Sequence, residues 1–180
     1  MDSINVQKVI ETNVTVWQRV DGILKIASIY SLQDIFRENI KISYSEEMIK
    51  YELEIQKTFF KELDHFQMKF EESGIVKNDS ELNFLKIKAY SYHGFYISDP
   101  QFKFLRFDFE PFKKLHAPIH INTPVIWGDH LTYPDTTNLD ISKISPEIAL
   151  KIFNRYAKNE NDYPTNAVTN AEYVSIMEGR

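Results

Sequence analysis

The stretch from Phe102 to Phe109 constrains the fold more than any other part of this sequence. Its residues alternate as in a β-strand, and apolar side chains occur on both of its faces. One face carries Phe102, Phe104, Arg106 and Asp108, and the other carries Leu105, Phe107 and Phe109. Such a pattern is typical of a strand that is covered on both sides, so the chain needs a sheet with other elements packed against it.

Further strands are predicted on both sides of this stretch. Leu82 to Tyr92 has strand character, and Gly94 and Asp99-Pro100 punctuate the chain before the next strand begins. His116 to Asn122 predicts another short strand.

A long amphipathic helix is predicted from Ser45 to Ser73. Ser45 suits an N-cap, acidic residues follow it in the first turn, and Gly74 is a natural stop. The apolar residues of one helical face are Tyr51, Ile55, Phe59, Leu63, Phe66 and Phe70.

Two further segments have helical character. Val14 to Tyr30 is compatible with a hairpin that turns at Asp21-Gly22 and with an amphipathic helix, and the helix is slightly favoured. Ser145-Pro146-Glu147 begins a last helix, because Ser caps it and Pro takes the first helical position.

These elements predict an α+β fold in which an antiparallel sheet packs against the long amphipathic helix and a C-terminal helix. The chain has the length of one domain, 1–180. We expect a mainly helical part at 1–75, a strand-rich part at 82–158 closed by a helix, and a loose tail at 159–180. The segment 122–144 is a long loop, of the kind that often serves function or partner binding.

Composition excludes several classes of protein. The 180 residues include no Cys, which excludes disulfides and a thiol nucleophile and fits a reducing cytoplasm. No apolar run approaches the roughly 18 residues of a membrane span, so we expect a cytoplasmic protein without a membrane partner. The net charge of −5 argues against broad capture of nucleic acid and favours a protein partner. No P-loop or dinucleotide fingerprint occurs, and we expect no cofactor.

Histidines mark the candidate site. Four of the five lie between positions 93 and 130, and three of them are close to the pair Arg106 and Asp108. These two residues project to the same side of a strand. One interpretation is that Arg106 holds a phosphate while Asp108 orients a histidine; the other is a salt bridge that sets the strand register.

His116 and His120 are the candidate proton-transfer residues. A shared metal is not expected, since Pro118 excludes a helix between them and an extended strand would place them roughly 13 Å apart. Only a sharp bend at Ala117-Pro118 would bring them together. Further substrate contacts are assigned to Tyr92, His93 and Lys114.

The order Tyr-x-Tyr-His at 90–93, Arg106-Phe107-Asp108 and His116-x-Pro-x-His120 resembles two groups of small bacterial proteins. One is the TumE type of toxin from toxin–antitoxin pairs. The other is a family of unknown function encoded beside helicases in phage-defence islands, which is also similar in a closing Ser-Pro helix. The resemblance covers about 85–157.

The resemblance implies a bacterial protein of defence or toxin–antitoxin biology and, for the toxin group, RNA cleavage. Carried over, it implies a site formed by Arg106, Asp108, His116 and His120. From the residue types, our hypothesis is a metal-independent ribonuclease in which His120 is the base, His116 the acid and Arg106 the phosphate clamp, with Asp108 fixing a histidine tautomer. The alternative is a non-catalytic subunit that binds a larger protein such as a helicase, nuclease or antitoxin. An enzyme predicts that the polar cluster lines an open cleft. A binding subunit predicts a paired Arg106 and Asp108 inside the sheet and an apolar patch elsewhere.

Overall fold

An antiparallel sheet of seven strands organises the protein, which we describe from a computed structural model covering residues 9–77, 83–113, 116–124, 130–161 and 171–179. The strands are β1 (Ile10–Thr15), β2 (Ile40–Tyr44), β3 (Met48–Thr58), β4 (Phe66–Lys77), β5 (Phe84–Tyr96), β6 (Phe104–Phe109) and β7 (Ile119–Asn122). Strands β2 to β7 lie side by side in chain order, and β1 pairs with the first part of β5. The helices are α1 (Val16–Ile29), α2 (Gln33–Asn39), α3 (Pro146–Tyr156) and α4 (Ala171–Met177). The predicted α+β class with an antiparallel sheet is confirmed.

The long helix predicted from Ser45 to Ser73 is wrong, and so is the mainly helical part at 1–75. The segment forms β3 and β4, in which buried and exposed residues alternate. Many of the apolar residues are four positions apart, and a spacing of four fits a period of two as well as a helical turn. Ser45 lies in the turn between β2 and β3, where its hydroxyl bonds the backbone of Met48. Phe59, expected in the core, is 41% exposed.

Two glycines expected to end elements lie inside strands. Gly74 lies within β4, where a Cβ atom would come 2.8 Å from Leu85 Cδ1. Gly94 lies within β5, where a Cβ atom would come 2.8 Å from Phe153 Cδ1 of α3. The missing side chain therefore permits a close approach of neighbouring elements, which the local sequence does not reveal.

The helical interpretation of the segment 14–30 is confirmed. Thr15 and Gln18 form a capping box at the start of α1, and Gly22 lies inside the helix. A Cβ atom on Gly22 would come 2.8 Å from Glu147 Oε1, so this part of α1 faces the Glu147 side chain of α3.

A buried ion pair joins α1 to the sheet. Arg19 donates from Nε and NH2 to the two carboxylate oxygens of Glu72 on β4, at 3.1 and 3.0 Å. It also donates to Glu147 of α3 at 3.2 Å, and the Tyr92 hydroxyl donates to Glu72. This network lies on the helix-covered face of the sheet, where the aromatic core residues also pack.

The predicted C-terminal helix is confirmed as α3. Its N-cap Ser145 accepts from Ile148 N–H, and Pro146 occupies the first turn. The expectation of a loose tail is wrong for α4, because Tyr173 is fully buried and its ring lies beneath the Arg155 guanidinium at 5.3 Å. Residues 162–170 of the tail lie outside the described residues. Among the helices that the structure describes, none combines the length and the apolar character needed to cross a membrane.

Candidate functional site

The side chains of the candidate site lie on the face of the sheet opposite the helices. Strand register places Asp108 of β6 between Ser91 of β5 and His120 of β7. It places Arg106 between His93 and Asn122 in the next row. Residues directly opposite each other across strands share a face, so these two rows form one polar surface.

Asp108 is the centre of this surface. It is 2% exposed, and its Oδ2 accepts from Arg106 Nε at 2.7 Å and from Asn122 Nδ2 at 2.5 Å. The same oxygen lies 3.7 Å from His120 Nε2, beyond hydrogen-bond distance. Asp108 therefore ties β6 to β7 and also faces the histidine cluster.

Three histidines converge beside Asp108. The ring centroids of His116 and His120 are 4.1 Å apart, and His130 lies 4.9 Å from the first ring and 5.1 Å from the second. The separation of about 13 Å expected for an extended strand is wrong, because β7 begins only at Ile119 and His116 precedes it in a turn.

Backbone pairing explains this convergence. The Glu110 N–H donates to the Pro118 carbonyl at 2.8 Å, which returns the chain to the end of β6. Beyond β7, Ile121 and Leu131 exchange two backbone hydrogen bonds of 2.9 and 2.7 Å. The second contact holds His130, whose φ is +55°, against the other two imidazoles.

His120 has a defined tautomer. Its Nδ1 lies 2.8 Å from the Ala117 carbonyl oxygen, which can only accept, so Nδ1 carries the proton. Its Nε2 is buried and has no hydrogen-bond partner among the described residues. Burial is the main cause that holds the pKa of His120 below its usual value, and the neighbouring imidazoles lower it further. A neutral ring with a lone pair on Nε2 therefore faces the site.

Glu110 closes the cluster on the other side. Its Oε1 accepts from Lys113 Nζ at 2.5 Å, and its Oε2 lies 3.6 Å from His116 Nε2. Partial burial opposes ionisation, but the hydrogen bond and charge of Lys113 outweigh it and lower the pKa of Glu110. The cluster thus contains two carboxylates and three imidazoles.

The structure brings together four of the residues predicted for the site: Arg106, Asp108, His116 and His120. Tyr92 is not at this surface, and its assignment to substrate is corrected: it is fully buried on the opposite face and donates to Glu72. The reason is the alternation of side chains along β5. Tyr92 pairs in register with Phe107 and not with a polar residue of β6, so its side chain lies on the core face.

The two remaining substrate assignments differ in outcome. His93 lies beside Arg106 on the polar face, where it packs against Phe95 and Phe104. Burial, with help from the Arg106 and Lys69 charges, lowers the pKa of His93 to about 4. Lys114 lies outside the described residues.

Sequence reasoning missed three members of the site: Asn122, Glu110 and His130. An Asp-His dipeptide such as the one at 129–130 is common by chance, and only the backbone contact of Leu131 with Ile121 brings His130 to the cluster. Asn122 could have been found from its position two residues after His120, because alternate residues of a strand share a face.

A wide groove runs beside the site across strands β3 to β6. Its volume is about 570 Å³, and the residues that line it include Glu52, Glu54, Glu71 and Glu110 together with Phe112 and Lys113. The groove is therefore predominantly acidic along β3 and β4, whereas its end at the cluster carries the ion pair of Glu110 and Lys113.

Comparison with models of known protein families finds no match for this sequence, and comparisons with curated proteins and with solved structures find none either.

Proposed function

We propose that this chain cleaves RNA at the cluster of Arg106, Asp108, His116 and His120, as a component of a bacterial toxin–antitoxin or anti-phage defence system. The observation that supports the reaction is the convergence of imidazoles, a buried carboxylate and a guanidinium at one end of the polar face. The biological setting rests on the sequence resemblance alone.

The chemistry needs three groups. A base removes the proton of the 2′-hydroxyl, the 2′-oxygen attacks phosphorus, and an acid returns a proton to the leaving 5′-oxygen, which yields a 2′,3′-cyclic phosphate. A cation stabilises the charge on the phosphorane. The residue types present are sufficient for all three tasks without a cofactor.

Exposure changes which histidine meets the substrate. The His120 side chain is fully buried, whereas His116 is 15% exposed and His130 is also partly exposed. We therefore assign proton transfer to His116 and His130, whose rings stack at 4.9 Å. His120 and Asp108 lie behind them and position His116. This replaces the assignment of His120 as base.

Arg106 suits the role of phosphate contact. It uses Nε for Asp108, and its side chain is 38% exposed. Lys69 lies in the same row of the sheet, on the far side of His93. RNA would approach along this basic row, because the acidic groove beside the neighbouring row repels a polyanion.

The test is cleavage of a labelled single-stranded RNA by the purified protein, compared with growth inhibition on expression. His116→Ala and Arg106→Ala should each lower the rate by roughly 100-fold or more, the scale of one acid–base or electrostatic group. His65→Ala is the matched control, since that imidazole bonds the Ala157 carbonyl far from the cluster. An RNA with 2′-deoxyribose at the cleaved position should resist. Full activity in His116→Ala, or no cleavage and no toxicity in the wild type, would end the proposal.

A second candidate is a non-catalytic subunit that binds a helicase, nuclease or antitoxin. It is favoured by the close pairing of Arg106 with Asp108 at 2.7 Å and by apolar side chains at the β5–β6 hairpin, where Ile97 is 48% and Phe102 62% exposed. This function predicts that Phe102→Ser loses a co-purifying partner while His116→Ala retains it. Loss of the partner in His116→Ala together with its retention in Phe102→Ser would exclude this second function.

A further inference from the structure

The three clustered histidines have the arrangement of metal ligands. One nitrogen from each of His116, His120 and His130 lies within 4.8 Å of the others, and a second set within the same limit joins His120 to Asp108 and Glu110. The two sets share His120, so the three imidazoles lie next to the two carboxylates between β6, β7 and the segment that follows β7.

His120 supplies an independent sign of a missing partner. Its Nε2 makes no hydrogen bond with any described residue, and the side chain has no solvent exposure. With the proton on Nδ1, the Nε2 lone pair faces the Asp108 carboxylate oxygen at 3.7 Å. Asp108 Oδ2 already accepts from Arg106 and Asn122, so the Nε2 lone pair is the acceptor left unsatisfied in a buried place, and a cation beside it would satisfy it.

The other ring nitrogen of His120, Nδ1, makes the kind of hydrogen bond that metal-binding histidines make. A metal-ligating histidine almost always donates its other N–H to a carbonyl or carboxylate, which fixes the ring and the tautomer. The hydrogen bond from Nδ1 of His120 to the Ala117 carbonyl meets this requirement at 2.8 Å. The lone pair on Nε2 is therefore already oriented.

The donor set selects the kind of ion. Imidazole nitrogen suits zinc, copper, iron and nickel, while calcium and magnesium require oxygen ligands. Zinc–nitrogen bonds of about 2.0–2.1 Å place tetrahedral ligands about 3.3 Å apart. The nitrogens lie within 4.8 Å of one another, so binding requires their separations to contract by at most about 1.5 Å.

We propose that His116, His120 and His130 bind one divalent transition-metal ion of the zinc class, with a carboxylate oxygen of Asp108 or Glu110, or a water, in the fourth position. The expectation that no metal binds came from the extended-strand distance between two histidines, which the turn before β7 removes. The proposal does not depend on RNA cleavage. A bound metal occupies lone pairs that metal-free proton transfer uses, so the two activities are measured separately.

The test uses the full chain without a polyhistidine tag, stripped with a chelator that is then removed. Zinc is titrated calorimetrically, and Co²⁺ is titrated while the visible d–d absorption that reports a tetrahedral site is recorded. We expect one equivalent per chain and a rise in the unfolding temperature with zinc. His130→Ala, His116→Ala and His120→Gln should each weaken binding by at least about tenfold.

Matched controls separate this site from histidines outside the cluster. His65→Ala and His93→Ala remove imidazoles outside the cluster and should leave the affinity and the Co²⁺ spectrum unchanged. His130→Ala keeps the test decisive if the buried His120→Gln variant does not fold, since His130 lies outside the strands. Absence of a tetrahedral Co²⁺ spectrum in the wild type, or zinc binding equally strong in His130→Ala and His116→Ala, would overturn the metal site. RNA cleavage measured on the same metal-free samples decides the proposed function independently.

Discussion

The buried pair of Arg19 and Glu72 offers a sharp test of what holds α1 on the sheet. The Glu72 side chain is fully buried and that of Arg19 is 9% exposed. Two parallel N–H···O bonds join them, and the Tyr92 hydroxyl donates to the same carboxylate. The perturbation is a double-mutant cycle with Arg19→Met, Glu72→Leu and the combination.

The expected magnitudes follow from what each change leaves behind. Arg19→Met leaves a buried carboxylate without its cation, which should cost about 3–5 kcal/mol of unfolding free energy. Glu72→Leu should cost somewhat less, because Arg19 keeps its contact with Glu147 at 3.2 Å. The double variant leaves no buried unpaired charge. Its main penalty is the Tyr92 hydroxyl, about 1–3 kcal/mol, so the coupling energy should be at least about 2 kcal/mol.

Acid should partly rescue Arg19→Met. Burial already raises the pKa of Glu72, although Arg19 acts in the opposite direction. Removing the cation raises that pKa further, so the folded state takes up a proton more readily than the unfolded state. A group whose pKa is higher in the folded state than in the unfolded state stabilises the fold at low pH. That contribution is lost as the pH rises through the folded-state pKa. The deficit of Arg19→Met relative to the wild type should therefore shrink as the pH falls toward 5.

Urea unfolding followed by circular dichroism measures all four proteins of the cycle. Arg37→Met is the control, since the pair of Arg37 and Asp34 is 58% and 85% exposed and should contribute less than about 1 kcal/mol. A cost below about 1 kcal/mol for Arg19→Met, or single costs that add to the double within about 0.5 kcal/mol, would refute the reasoning.

Three further predictions concern other positions. Gly94→Ala should destabilise the fold by about 1–3 kcal/mol, because its Cβ would overlap Phe66 and Phe153. Phe153→Leu relieves one of these two overlaps and should recover part of that loss in the double variant; additive costs would contradict this. The pKa of His93 is about 4 in the folded protein and 6.5 in the unfolded chain, so the unfolded chain takes up the proton first as the pH falls. The free energy of unfolding should therefore fall by up to about 3 kcal/mol between pH 6.5 and values below 4. His93→Leu should flatten this slope in denaturant titrations, and an unchanged slope would exclude His93 as its cause. Thr15→Ala removes the capping box of α1 and should cost about 1 kcal/mol in thermal unfolding, whereas Thr15→Ser should retain most of it.

Prediction from the sequence was most successful where the signal lies within a few neighbouring residues. The Ser145-Pro146 start of α3 depends on a cap and a fixed φ, both set by adjacent residues. The β6 strand was evident because its alternation includes charges on only one face. The same local method failed for 45–73, since apolar residues four apart satisfy a strand and a helix equally, and partner strands decide between them.

The sequence by itself determined the α+β class, the start of α3 and the identity of four residues at the candidate site. Tertiary structure alone decided that Tyr92 lies in the core, that Arg19 pairs with Glu72, and that His130 joins His116 and His120. Each of these depends on the register between strands distant in the chain or on a backbone turn outside a strand. A change of register by one residue transfers every side chain of a strand to the other face, so residue types alone cannot determine which groups meet.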